Sequence, residues 1–177
     1  MRTLVDQLSQ YAAYHRDRRN IATHFVGIPM IMLGIAALLA RPSIALGGFP
    51  LSPALLVVIG AVVFYFLLDL RYGLTMALVM GATLYTANVI AAQSFGSWLG
   101  LSLGLFVVGW VIQFIGHYFE GRKPAFVDDL VGLLVGPLFV VAELGFALGL
   151  RTPVLREIEG RVGPTRNTRP AVVPAQQ

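Results

Sequence analysis

The sequence contains no cysteine and only three histidines, which narrows the chemistry open to it. Without cysteine there can be no disulfide, no zinc ribbon and no thiol nucleophile. A metal site would have to be built from histidine and carboxylate ligands. Any such site must therefore draw on His15, His24 and His117 and on the acidic residues near them.

Charge is also scarce, because only 12% of the residues are charged while 56% are hydrophobic and the mean hydropathy is +0.75. Soluble domains carry about 25% charged residues. The composition therefore predicts an integral membrane protein whose partners are the membrane and its lipids, with no nucleic acid. The first ten residues alternate polar and apolar side chains and lack the continuous apolar core of a secretory signal peptide. We expect the first apolar segment to remain in the mature protein.

The apolar pattern predicts a single all-α membrane domain over residues 1–155. It contains four transmembrane helices, an N-terminal amphipathic helix and a C-terminal hydrophobic segment that is either re-entrant or a fifth span. The expected bounds are 3–16 for the amphipathic helix, about 21–40, 53–68, 74–92 and 98–117 for the spans, and 130–150 for the last segment. Asn20 is the expected N-cap of the first span. The tail, residues 156–177, is expected to be disordered.

Small and polar residues inside the later spans predict contacts between helices. Gly96, Gly100 and Gly104 repeat every fourth residue, a spacing that permits close approach of a neighbouring helix. Thr83, Thr86 and Asn88 are expected to form hydrogen bonds to other helices.

The arginine and lysine residues predict the orientation of the chain. If the last apolar segment does not cross, twelve of the thirteen lie on one side and only Arg41 lies on the other, whereas a crossing gives seven against six. The positive-inside rule favours the first arrangement. We therefore expect both termini to be cytoplasmic, in a bacterial inner membrane.

This topology brings the three histidines to one membrane surface. His24 lies one turn inside the first span, and His117 lies at the exit of the fourth span, which runs in the opposite direction. His15 precedes the first span on the same side. Because His15 and His24 are nine residues apart, one unbroken helix would place them about half a turn out of phase. Convergence therefore requires a helix break near residues 17–20.

Around His117, three polar side chains share one helical face, since Gln113, His117 and Glu120 stand at i, i+4 and i+7. A histidine and a glutamate three residues apart can reach one metal ion, as they do in di-iron bundles. Taken alone, this spacing is more typical of side chains that meet water and lipid headgroups than of a metal site. The convergence of all three histidines, with Glu120 and either Asp17 or Asp128 nearby, favours a metal site.

Two stretches of the sequence resemble the Mpo1-like family of small membrane proteins, and the likeness extends to about Arg151. The first stretch is residues 14–20 followed by His24 and residues 27–29; the second is residues 109–117 followed by residues 119–120, 122–125 and Asp128. Residues 136–139 and Glu143 match as well. Arg18 departs from the pattern, because the family often has a proline there.

The resemblance implies an iron(II)-dependent dioxygenase that uses O₂ to convert a 2-hydroxy fatty acid into CO₂ and a fatty acid one carbon shorter. By this likeness, the metal ligands are His15, His24 and His117. The expected catalytic residues, acting as further ligands or by orienting the ligands, are Glu120 and Asp128, with Glu143 ranked below them. The substrate carboxylate would be held by Arg122 and Lys123, and the ligands would be supported by Tyr14, Asn20 and Gln113.

Two other functional classes remain open at this stage. A non-catalytic lipid-binding or assembly protein would use the His and Glu cluster only to fix helix packing. A small transporter or proton channel would use intramembrane ionisable groups as a relay, but no inverted repeat is visible and the histidines lie at one interface.

Overall fold

The computed structural model describes residues 2–47, 49–122 and 131–166, and it confirms the predicted all-α membrane class. The elements are α1 Leu4–Ala12, α2 Arg18–Ala40, β1 Ile44–Leu46, β2 Phe49–Leu51, α3 Pro53–Leu68, α4 Leu70–Ala91, α5 Phe95–Glu120, α6 Gly132–Ala147 and α7 Thr152–Val162. The two strands form a short antiparallel hairpin in the loop between α2 and α3.

Within the described residues, α2, α4 and α5 are each long and apolar enough to cross a membrane. Helix α3 has 16 residues, so its length of ~24 Å is slightly less than the ~30 Å hydrocarbon core. The span expected at 74–92 begins earlier, at Leu70, because the Asp69 carboxylate accepts hydrogen bonds from the backbone N–H groups of Arg71 and Tyr72. Lipid-facing surfaces are formed by exposed apolar side chains, among them Leu56, Val63, Leu74, Leu78, Val107, Val111 and Phe114.

Helices α2 and α5 pack backbone to backbone. A Cβ added at Gly27 would lie 2.9 Å from the Gly109 carbonyl oxygen, and one added at Gly109 would lie 2.9 Å from the Gly27 carbonyl oxygen. Only glycine permits this approach, which is typical of helix contacts in membranes. The contact sets the distance between the two histidines that these helices carry.

The packing expected of the other small and polar residues is wrong. Cβ atoms at Gly96, Gly100 and Gly104 would meet nothing within 4 Å, so no described element approaches that face. The side chains of Thr83, Thr86 and Asn88 each donate a hydrogen bond to a carbonyl of their own helix, four residues earlier. Such i−4 bonds satisfy a polar side chain in an apolar environment without a second helix.

The predicted helix break between His15 and His24 is confirmed, but its N-cap is Asp17 and not Asn20. Helix α1 ends at Ala12, earlier than the expected residue 16, and α2 begins at Arg18. Asp17 Oδ1 accepts a hydrogen bond from the Arg19 N–H at 2.9 Å. The Asp17 carboxylate therefore caps the helix three residues before Asn20, the expected N-cap.

The residues that follow α6 lie at the same end of the bundle as the C-terminal end of α5. Helices α6 and α7 are bent by 114° relative to each other. At the bend, Arg151 Nη2 lies 2.6 Å from Asp69 Oδ2, which belongs to the link between α3 and α4. After α7, Arg166 Nη2 lies 2.8 Å from Glu120 Oε1 at the end of α5. The α3–α4 link and the end of α5 occupy the same end of the helix bundle. This geometry favours the re-entrant interpretation over a fifth crossing.

Helix α7 covers residues 152–162, so the expectation of disorder from residue 156 is wrong for this part of the tail. Ile158 is buried, and Arg161 Nη1 lies 2.7 Å from Asp6 Oδ1 of α1. The polar composition suggested a solvated tail, whereas its amphipathic face packs on α1. Residues 167–177 lie outside the described part of the chain.

Candidate metal centre

Three buried histidines converge at one end of the bundle. His15 comes from the link before α2, His24 from the second turn of α2, and His117 from the last turn of α5. Their ligand nitrogens all lie within 4.8 Å of one another, and the ring centroids are 4.4 to 5.2 Å apart. Within the described residues, this group contains no carboxylate. The predicted convergence is therefore confirmed, while the role of the histidines as ligands stays a prediction.

Backbone carbonyls orient two of the three rings. His15 Nδ1 lies 2.7 Å from the Tyr11 carbonyl oxygen, and His24 Nδ1 lies 2.8 Å from the Asn20 carbonyl oxygen. A carbonyl oxygen only accepts, so Nδ1 of each ring donates its proton. In the neutral imidazole, Nε2 then keeps its lone pair, the state that a metal ligand requires.

The nitrogens of the cluster fit a bound cation. In the described part of the chain, His15 Nε2 and His117 Nδ1 are buried and have no hydrogen-bond partner. Leaving a buried polar atom unpaired costs about 1–3 kcal/mol. Burial, and then the neighbouring His24 and His117, hold the pKa of His15 well below its ordinary value, so this imidazole is neutral at pH 7. Neutral imidazoles bind iron, copper, nickel and zinc.

Glu120 holds the link that carries His15. Its Oε2 accepts hydrogen bonds from the backbone N–H of Arg16 at 2.9 Å, from that of Asp17 at 2.7 Å and from Asn20 Nδ2 at 3.2 Å. Its Oε1 accepts from Arg166 Nη2 at 2.8 Å. Both oxygens are thus occupied by donors from three parts of the chain. This geometry favours the orienting role, one of the two predicted for Glu120, and the part that Glu120 plays in catalysis stays a prediction.

Other predicted site residues occupy the edges of the cluster. Arg122 is exposed and donates to the Ala13 carbonyl oxygen at 2.9 Å. It therefore helps to hold the link between α1 and α2, which carries His15. The Tyr14 carbonyl oxygen accepts from Asn20 Nδ2 at 3.3 Å. Lys123 and Asp128 lie outside the described residues, and their predicted roles are not addressed by the structure.

Glu143 forms an ion pair with a buried arginine. Arg16 is 3% exposed, and its Nη2 lies 3.7 Å from Glu143 Oε1. The rest of the guanidinium donates to the carbonyls of Ala12, His15 and Gly163. The pairing of Glu143 with an arginine, one of the two partners considered for it, is confirmed.

An apolar cavity of about 320 Å³ lies beside the histidines, between α2, α5 and α6. Its polar lining is concentrated at one end and consists of Tyr11, His24, Gln113 and His117. The remaining wall is apolar and includes Ile28, Met32, Ile35, Phe106, Trp110, Leu133 and Pro137. Gln113 is 4% exposed, and its Oε1 has no partner among the described residues. The cavity therefore suits a molecule with one polar end and a long apolar chain.

Tyr11 belongs to this site but was not predicted. Its ring stacks on that of His15, with centroids 4.1 Å apart and planes 6° apart, and it lines the cavity. The available signal was its position four residues before His15, because this spacing would place both rings on one face of the amphipathic helix predicted at 3–16. In the structure α1 ends at Ala12, and the rings meet through the turn that follows it.

Two comparisons with known proteins agree on the family of this chain. A family model described as 2-hydroxy-palmitic acid dioxygenase Mpo1-like matches residues 1–148. The chain belongs to the Mpo1-like family. It is 34% identical over 149 residues to the 2-hydroxy-palmitic acid dioxygenase MPO1 of Saccharomyces cerevisiae, an alignment that covers 82% of each protein. No solved structure matches it. The matched region of this Mpo1-like chain includes all three clustered histidines, Glu120 and the whole of α6.

Proposed function

We propose that this Mpo1-like protein is an iron(II)-dependent dioxygenase that converts a 2-hydroxy fatty acid into CO₂ and a fatty acid one carbon shorter. The observation that carries the proposal is a buried group of three histidines, two of which, His24 and His117, line the polar end of an apolar cavity. Support also comes from the yeast relative, whose name states that it is a 2-hydroxy-palmitic acid dioxygenase.

The overall reaction balances without a further reductant. R–CHOH–COOH and O₂ give R–COOH, CO₂ and H₂O. The bond between C1 and C2 breaks, C1 leaves as CO₂, and C2 is oxidised to the new carboxyl carbon. All four electrons released by the acid pass to O₂. A site that binds the substrate head and O₂ together therefore needs no second redox partner.

The chain contributes binding and orientation. His15, His24 and His117 would hold the iron, which when bound supplies O₂ activation and attracts the hydroxyl and carboxylate oxygens of the acid. Gln113 and Tyr11 provide polar groups at the same end of the cavity. The apolar walls hold the acyl chain and exclude water from the head group.

A purely structural role for the cluster agrees less well with the hydrogen bonds. Residues that only fix helix packing are expected to pair their polar atoms, since an unpaired buried group is destabilising. Across the described residues, His15 Nε2 and His117 Nδ1 have no such partner. A metal-binding role accounts for both nitrogens.

Single replacement of each histidine by alanine tests the proposal. Each variant should lose oxygen-dependent shortening of a 2-hydroxy fatty acid and most of its iron, because three ligands form one site. Double variants should be no worse than single ones, since residues that act as a unit contribute non-additively. Asn88→Ala is the matched control, because Asn88 is exposed and bonds only its own helix among the described contacts. Wild-type turnover in all three histidine variants would refute an iron enzyme.

We also propose that both termini are cytoplasmic in a bacterial inner membrane, on the basis of the asymmetric charge distribution. Residue 43, near the hairpin, and residue 157, on α7, are both exposed and lie at opposite ends of the bundle. Single cysteines at Ser43 and Glu157 can be treated with an impermeant thiol reagent in intact cells. Only Ser43→Cys should react before lysis, and labelling of Glu157→Cys in intact cells would contradict this orientation.

A further inference from the structure

A second apolar cavity lies directly beyond the first. Its volume is about 150 Å³, and it lies between α2, α3, α4 and α6. The two cavities share four wall residues, which are Met32, Ile35, Leu133 and Pro137. Among the described residues, no charged side chain lines the second cavity. The two spaces are therefore adjacent; we refer to them together as the apolar track, and His24 and His117 line its polar end.

One face of α2 runs along the whole track. From His24, the residues at i+4, i+7, i+8, i+11, i+12 and i+15 are the ones that line the two cavities: Ile28, Ile31, Met32, Ile35, Ala36 and Leu39. This spacing keeps them on one side of the helix. The helix that carries a predicted metal ligand thus also carries a wall for an extended chain.

The far part of the track is lined in part by residues of small volume. Ala36, Ala54 and Ala61 line the second cavity, and all three are at most 9% exposed. None of them lines the first cavity. A larger side chain at these positions would occupy the second cavity and leave the first cavity and the histidines unchanged.

We infer that the second cavity takes the methyl end of the acyl chain and that Ala61, with Leu39 at its far end, determines which chain lengths are accepted. This inference rests on the proposed function for the nature of the head group. It assigns a specificity role to residues of α2 and α3 that do not touch the histidine cluster.

The dimensions agree with fatty acids of ordinary length. From His24 to Ile35, the first cavity follows 11 residues of α2, or ~16 Å, and from His24 to Leu39 the track follows 15 residues, or ~22 Å. An extended chain advances ~1.25 Å per carbon, given C–C bonds of ~1.5 Å. A chain of about 10 carbons therefore fits in the first cavity, whereas one of about 16 carbons must enter the second.

The main test fills the second cavity with Ala61→Met. For purified, iron-loaded protein in detergent, kcat/KM for a 2-hydroxy acid of about 16 carbons should fall by tenfold or more, because the last methylenes lose their place. The value for an acid of about 10 carbons should change by less than about twofold. Ala82→Met is the control, since Ala82 is exposed and lines neither cavity. An equal loss on both acids, or no loss on the longer one in a folded variant, would overturn the inference.

A second variant acts in the opposite direction and covers the case in which Ala61→Met fails to fold. Leu39→Ala lengthens the track, so preference should shift towards acids longer than about 16 carbons. An unchanged chain-length preference in a monodisperse Leu39→Ala protein would also contradict the inference.

A binding assay separates this inference from the proposed reaction. Displacement of a fluorescent fatty acid from iron-free protein reports chain-length preference without turnover. If the wild-type protein shortens no 2-hydroxy acid but Ala61→Met still weakens binding of the longer chain selectively, the proposed reaction fails and the chain-length role stands. If turnover occurs but neither variant changes the length preference, the reaction stands and the chain-length role fails; a resident membrane lipid would then be the occupant of the second cavity.

Discussion

Glu120→Gln tests whether this carboxylate holds the His15 link or takes part in the chemistry. Glutamine keeps one carbonyl oxygen, which can take the place of Oε2 and accept from the backbone N–H groups of Arg16 and Asp17. The amide nitrogen must then face Arg166, so a donor meets a donor. The substitution removes the charge while it leaves the shape of the side chain nearly unchanged.

The expected loss of stability follows from the number of bonds. Hydrogen bonds to a charged group contribute ~1.5–3 kcal/mol and neutral ones ~0.5–1.5 kcal/mol, so three weakened bonds at Oε2 amount to roughly 3 kcal/mol. The Arg166 side chain is 36% exposed, and its ion pair adds at most about 1 kcal/mol after solvent screening. Because the weakened link follows His15 directly, iron affinity should also fall by ~10–100-fold, the usual effect of losing a residue that positions a ligand.

The assay is thermal unfolding in detergent together with iron titration of the purified protein. Glu157→Gln is the matched control, because the side chain of Glu157 is 53% exposed and pairs with Arg161 one turn along α7. That pair contributes less than about 0.5 kcal/mol. A Glu120→Gln protein with the melting temperature and iron affinity of the control would refute the positioning role. Normal stability and iron affinity with lost turnover would instead support a direct catalytic role.

Three further outcomes follow from the contacts. Gly116→Ala should lower the melting temperature by an amount equivalent to ~1–3 kcal/mol and weaken iron binding, because a Cβ there overlaps the Thr23 side chain. Gly104→Ala is the control, since a Cβ at Gly104 would have no described atom within 4 Å. Glu143→Gln should keep bound iron, measured by metal analysis, since its partner lies outside the histidine group; iron loss equal to that of Glu120→Gln would contradict this. The bond to the α7 arginine lowers the pKa of Asp6 to about 2. A lowered carboxyl pKa stabilises the fold fully above the unfolded value of about 4, and this stabilisation is lost as the pH falls through the folded value. The difference in melting temperature between wild type and Asp6→Asn should therefore shrink as pH falls from about 4 towards 2. A difference that stays constant over this range would contradict the ion pair as the source of stability.

The positions of the histidines could be predicted because they depend on strong and regular signals. Long apolar runs define the spans, and alternating spans place the start of the first and the end of the fourth on one surface. The helical period then requires a break between His15 and His24, and the break is present. No detailed packing was needed for this result.

The hydrogen bonds within the site were beyond the reach of the sequence. The Glu120 carboxylate and the Asp17 N–H are 103 residues apart, and their pairing depends on the approach of α2 to α5. The same approach leaves Asn20 inside the helix, where its amide donates to Glu120, and Asp17 becomes the cap. Local propensity ranks aspartate and asparagine equally as caps, so only tertiary geometry decides between them.

The shape of the cavities and the position of Tyr11 depend on how α1 and α6 pack on the bundle. Tyr11 reaches the site because α1 lies across α6, where a Cβ at Gly136 would come within 3.0 Å of the Tyr11 hydroxyl. An amphipathic stripe predicts that a face is buried but not the partner against which it is buried. The fixed orientation of α6 and α7 comes in turn from ion pairs such as Arg151 with Asp69, which join distant parts of the sequence.

The three histidines do not have equal structural support, and this difference bears on how the site forms. His24 and His117 are carried by α2 and α5, whose backbones touch at Gly27 and Gly109, so their separation is set by the bundle itself. His15 lies in a link held by Glu120, beneath the layer formed by α1 and α7. A metal ion that binds all three favours the state in which this layer is docked, because a ligand stabilises the conformation that it binds. If the three histidines bind one metal ion, as we propose, docking of the surface layer and completion of the site would be coupled.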